Sequence, residues 1–160
     1  EIRNCDWSSD VCSSDPIAEK IAGADPKPVI DDTVPQVVFS FPEAASVGLT
    51  LDQAKAREDV VEPKETAYPM LSNARMLMSG EGGSMTVVSG AFANNPDMQV
   101  VLGVHIVSPI ASDLIAEAEQ LVGNRVPLAD AARLIHPHPT FSETLGEALL
   151  KADGRPLHTR

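Results

Sequence analysis

Two stretches of the chain are nearly continuous in apolar and β-branched residues, Ser84–Phe92 (SMTVVSGAF) and Met98–Val107 (MQVVLGVHIV). Such residues suit a pleated, half-buried surface, and the intervening ANNPD carries turn chemistry, so the pair is predicted as an antiparallel hairpin. Downstream the apolar period changes. Ile110, Leu114, Ala118, Leu121 and Val122 recur at helical spacing, with Ser108 as expected N-cap, Pro109 at the first helical position and Gly123 as the stop. Pro127 opens a second, shorter helix through Leu134, and a third is expected from about Phe141 to Lys151.

Upstream, Val37–Phe39 is β-prone and ends at Pro42, and strand character resumes over Ser46–Leu49. Thr50 and Gln53 have the spacing of a capping box that opens a helix from Leu51 to about Glu58. Thr66–Leu71 reads as a strand that Pro69 confines to a sheet edge. The GEGG turn at Gly80–Gly83 is not followed by Lys-Ser/Thr and precedes a strand, so it does not read as a phosphate loop. Strands grouped centrally with helices late in the chain predict an α+β fold, a mainly antiparallel sheet covered on one side by helices.

The ends read differently. Asp6–Asp15 (DWSSDVCSSD) has no apolar period and also corresponds to a translated sequencing-library adapter, so residues 1–15 are expected to be an artefactual or disordered tail. On that reading Cys5, Cys12 and Trp7 are incidental. Ile17–Gly23 looks like the end of a longer helix, and the proline-containing ADPKPVIDDTVP reads as a linker, which places a domain at 34–155 followed by a short tail at 156–160.

With 160 residues, 43% of them apolar, the chain can furnish one core. Twenty-three acidic against 12 basic side chains give a formal charge of -11, which disfavours nucleic acid and anionic membrane surfaces as partners. No apolar run reaches the length of a membrane span and the first residues lack a signal pattern, so a cytoplasmic setting is expected.

The chemistry is concentrated in His136-Pro137-His138-Pro139-Thr140-Phe141-Ser142-Glu143. Each His precedes a Pro and is stiffened by it. Thr140 is expected to cap the following helix, which lets Glu143 lean back toward the histidines as the carboxylate that orients a general acid/base. The same spacing also fits a plain capping box beneath a surface loop. His-x-His gives only two ligands and no third is nearby, so no metal site is expected. His105 lies within a strand and His158 in a basic tail, while Ser72-Asn73-Ala74-Arg75 offers an Arg that is more simply read as solvated.

Three blocks, in order, resemble the FAD-dependent pyridine nucleotide disulfide oxidoreductases. IAEKIAG resembles the last helix of the family's FAD domain, VPQVVFSFPEAASVGLT the opening of its C-terminal interface domain, and HPHPTFSE its His-Pro-Thr and Ser-Glu signature. SNAR, LGVHIVSP and HPHPTFSE look most like the dihydrolipoyl dehydrogenase branch. The resemblance implies the interface-domain fold, with His138 as acid/base, Glu143 as its orienting carboxylate, and His136 and Pro139 near the partner's flavin. It implies a homodimer in which the His serves the other subunit's flavin and redox disulfide. It further implies FAD and NAD in a full-length parent, and a dihydrolipoyl-carrying acyltransferase of a 2-oxoacid dehydrogenase complex as partner. The Gly-rich dinucleotide fingerprints and the Cys-x4-Cys redox pair are missing, and Cys5 and Cys12 do not replace them. The chain alone is therefore expected to bind neither cofactor and to be inactive. A glutathione- or mycothiol-type reductase shares the same signature, and a self-association module without chemistry is the alternative of another class.

Overall fold

The computed structural model describes residues 16–159. The expectations for residues 1–15, including those for Cys5, Cys12 and Trp7, lie outside the described residues. Five strands form one antiparallel sheet: β1 (Gln36–Val38), β2 (Glu43–Gly48), β3 (Val60–Pro69), β4 (Ser84–Phe92) and β5 (Asn95–Ser108), in the order β1-β2-β5-β4-β3. After β2 the α-helices are α1 (Leu51–Ala56), α2 (Ala74–Ser79), α3 (Ala111–Gly123), α4 (Leu128–Ala131) and α5 (Glu143–Ala152).

The long β4–β5 hairpin is the centre of the sheet, as its apolar content predicts. On one face Val47, Tyr68, Met85, Val87, Val104 and Ile106 meet the apolar stripes of α3 and α5, among them Leu114, Ile115, Leu121, Leu145 and Leu149. Each fully buried Leu of this kind contributes about 1.5–3 kcal/mol. A smaller cluster of Leu49, Ala54, Val60, Val88, Val100 and Leu102 lies on the other face under α1. A register shift separates the two alternations: Val88 pairs with Gly103 but Ser89 pairs with Val101, leaving Leu102 as the extra residue. Val101 therefore joins the helix-side core while Val100 and Leu102 serve the other cluster.

Where β2 ends, Gly48 takes φ +79°, and a Cβ there would meet the Leu102 carbonyl oxygen at 2.2 Å. Only glycine allows this close passage of backbone over backbone. The chain then enters α1, whose Thr50–Gln53 capping box forms as expected, with both reciprocal hydrogen bonds present.

Several boundaries differ from the sequence reading. β3 begins at Val60, well before Thr66, because its charged and proline-containing first half lies at the sheet edge, where only one side needs a ladder partner. Ser108 is the last residue of β5 and does not cap α3. The helix starts at Ala111, and the Ser112 amide donates instead to the Glu43 carboxylate of β2 at 2.8 Å, which holds that carboxyl below its usual range. The helix expected to run to Leu134 stops at Ala131, and the short α2 has no counterpart in the sequence reading. No helix among the described residues is long and apolar enough to cross a membrane.

Candidate active site

The two histidines of the HPHP loop are held in different ways. His136 turns inward: its Nε2 lies 2.8 Å from Glu117 Oε1 of α3, and its side chain is only 10% exposed. The ring rests on Gly146 of α5, where a Cβ would come within 2.6 Å of Nδ1. The hydrogen bond that His136 donates to Glu117 raises the His136 pKa above its ordinary value; burial opposes this, and the charges of Glu117 and Glu143 add to the rise. His136 and His138 therefore do not converge on a shared point. Among the described residues no group of three or more His, Cys, Asp or Glu side chains is arranged to hold a metal ion.

His138 turns outward and is 70% exposed. Its Nδ1 lies 2.9 Å from Glu143 Oε1, the first residue of α5. An ionised carboxylate only accepts, so the proton of this bond sits on Nδ1 and leaves the lone pair of a neutral ring on Nε2. That nitrogen is presented to the surface, a geometry suited to exchanging a proton with a group brought from outside. Pro139 beside it is exposed, and the His138–Pro139 peptide is cis.

Thr140 is the hub of the loop. Its amide donates to Glu143 Oε2 at 2.7 Å and its hydroxyl to the Pro137 carbonyl at 2.6 Å. The expected capping box is thus half formed. Glu143 reaches back as predicted, but α5 starts two residues later than expected, Ser142 stands at its N-cap with no side-chain cap, and the Thr140 hydroxyl braces the proline loop. Burial pushes the Glu143 pKa up, but the Thr140 amide and the two histidines outweigh it and leave the carboxyl below its ordinary value.

Two residues that the motif analysis passes over touch this loop. Glu117 gave no signal, since its partner is nineteen residues away. Asn73 lies in the SNAR segment, two residues before Arg75, and its side-chain amide donates to the Thr140 carbonyl. His105 is half-buried with Nε2 3.2 Å from the Leu49 carbonyl oxygen, and His158 pairs with Glu147, so both are engaged away from the loop. Tyr68 is fully buried; burial, then the charges of Glu147 and Glu143, push its hydroxyl up to about 12.

The fold and loop can be set against known proteins. The family model for the pyridine nucleotide-disulphide oxidoreductase dimerisation domain matches residues 34–149. The chain belongs to this family. The dimerisation domain is 39% identical over 141 residues to the dihydrolipoyl dehydrogenase of Bacillus subtilis, covering 88% of this chain and 28% of that protein. It is 41% identical over 144 residues to the dihydrolipoyl dehydrogenase of Cupriavidus necator, covering 89% of this chain and 28% of that protein. Among solved structures it is similar to LpdA from Mycobacterium tuberculosis, with a TM-score of 0.78 and 27% identity over 94% of this chain and 32% of that one. The Escherichia coli flavoprotein disulfide reductase RclA shares the fold, with a TM-score of 0.74 at 19% identity over 91% of this chain and 33% of that one. The chain thus spans less than a third of the length of these curated relatives.

A flavin or nicotinamide dinucleotide needs close backbone approach, usually over glycine. In the dimerisation domain the tight glycine positions are already filled: Leu102 lies over Gly48, Val107 over Gly83 and His136 over Gly146. The His138 side chain is tied to Glu143 through Nδ1 and is otherwise exposed.

Proposed function

We propose that this dimerisation domain supplies a general acid/base, His138 oriented by Glu143, to the flavin and redox disulfide of the partner subunit in a dihydrolipoyl dehydrogenase. The observation that carries the reading is the His138–Glu143 pair: Nδ1 is tied to a carboxylate at 2.9 Å while the opposite ring edge is open. A base aimed out of its own domain suits a proton acceptor that works across a subunit contact. In this scheme residues 34–155 form the dimerisation unit, and 16–33 hold the end of the last FAD-domain helix and the linker. His136 and Pro139 border the partner's flavin, and FAD and NAD in the full-length parent supply the onward electron transfer.

In the proton step, a thiol of the dihydrolipoyl group passes its proton to His138 Nε2. The thiolate attacks one sulfur of the redox disulfide; a mixed S–S bond forms, the enzyme's S–S bond breaks, and a cysteine thiolate leaves. The second substrate thiol gives its proton to the freed cysteine thiolate and attacks the mixed disulfide; the lipoyl disulfide forms, the mixed S–S bond breaks, and the second cysteine leaves as a thiolate, so the reduced enzyme holds one thiol, one thiolate and the proton on His138. Glu143 stabilises the imidazolium that the first step creates. The donor of the dithiol is the lipoyl-carrying acyltransferase of a cytoplasmic 2-oxoacid dehydrogenase complex.

Subunit mixing tests the trans arrangement. Full-length His138→Gln subunits are co-expressed with subunits whose redox cysteine is Ser, and the heterodimer is isolated. Action in trans rebuilds one intact site of two, giving about half of wild-type turnover per dimer. A heterodimer as inactive as either parent would place the base in cis, and unimpaired His138→Gln homodimers would favour a module without chemistry.

A further inference from the structure

We propose that Asn73 is a positioning residue for the His138–Glu143 pair, acting through the backbone of Thr140. The proposal rests on the acid/base reading of His138. Asn73 is 5% exposed and uses its amide group in two directions. Its Oδ1 accepts from the Met76 amide at 3.0 Å, capping α2, and its Nδ2 donates to the Thr140 carbonyl at 3.1 Å. A cap needs only the oxygen, and Ser or Asp provides that equally well. The second bond needs a neutral group that both accepts and donates at the same place.

From Thr140 the path continues without a gap. The carbonyl of this residue is held by Asn73 and its amide is held by Glu143 Oε2 at 2.7 Å, whose other oxygen holds His138 Nδ1 at 2.9 Å. The neighbouring residue is held from the same segment, for the Arg75 guanidinium lies 5.4 Å from the centre of the Phe141 ring. Met70 and Met76, on either side of Asn73, are fully buried. The seat of the histidine loop is thereby fixed to the core, while the loop itself stands at the surface.

A double-mutant cycle in the full-length flavoprotein separates positioning from simple capping. Asn73→Ser and Asn73→Asp both keep a cap and both lose the donor to Thr140; Asp also places a charge against that carbonyl. Turnover with dihydrolipoamide should fall about tenfold in Asn73→Ser, the scale of a displaced acid/base, and further in Asn73→Asp. In a His138→Gln background the same substitutions should change turnover by less than about twofold, because the group they position is gone. Unchanged turnover in both single variants, or the same fold-loss with and without His138, would overturn the assignment. If His138→Gln slows turnover and the Asn73 variants do not, the Asn73 proposal alone falls. If His138→Gln is itself without effect, the acid/base reading falls and takes this proposal with it.

Discussion

The imidazole of His136 occupies the space that a side chain at position 146 would need, since a Cβ on Gly146 would come within 2.6 Å of its Nδ1. The ring cannot retreat freely, because its other nitrogen is bonded to Glu117 at 2.8 Å. Glycine in the interior of α5 is therefore required by packing against a loop rather than by backbone conformation.

Gly146→Ala sets two effects of opposite sign against each other. Alanine in a helix interior gains about 1 kcal/mol over glycine, whereas overpacking a well-filled site costs about 1–3 kcal/mol. Net destabilisation of up to about 2 kcal/mol is expected, read by urea unfolding of this chain. A variant more stable than the wild type would show that the ring yields and that the His136 seat is loose.

The Glu117–His136 pair predicts a pH dependence of stability. The folded pKa of His136 lies above its ordinary 6.5, so the stabilisation is fully present below that value and is lost as pH rises through the folded pKa. Glu117→Gln should cost about 1 kcal/mol at about pH 6, discounted for the partial exposure of the carboxylate, and less at about pH 9. The depressed Glu143 acts in the other direction, losing its contribution only as pH falls below the ordinary carboxyl range, so it does not enter this window. Equal costs at both ends of the range would mean that the pair is not ionic.

Ile135 is 96% exposed immediately before the histidine loop, and Leu134 beside it is half exposed. If the loop meets a partner subunit, this isoleucine is buried there, and its removal from water contributes about 1.5–3 kcal/mol to association. Ile135→Asp in the full-length protein is expected to weaken the dimer at least tenfold in sedimentation equilibrium while leaving the monomer's melting temperature unchanged. An unaltered dimer constant would move the contact elsewhere on the domain.

What was legible in the sequence was local. The Ser84–Val107 hairpin and the apolar stripe of α3 follow from the identity of neighbouring residues, and the Thr50–Gln53 box from a three-residue spacing. What was not legible depends on distant partners. Ser108 has the look of a cap, but the strand continues through it and Glu43, its register partner on the neighbouring strand β2, takes the helix end. The first half of β3 was hidden because an edge strand tolerates Pro63, Lys64 and Glu65. In the loop, Glu143 was found by spacing, whereas the Thr140 hydroxyl, Glu117 and Asn73 were settled by packing that no local pattern encodes.

In the proposed reaction His138, and not its neighbour, carries the proton. The most direct measurement is steady-state turnover of dihydrolipoamide by full-length His138→Gln and His136→Gln, each checked for bound FAD. His138→Gln should lose roughly 10²- to 10⁴-fold in turnover with FAD retained, the usual worth of a positioned acid/base, and His136→Gln should lose far less. Full activity in His138→Gln together with an inactive His136→Gln would contradict the account.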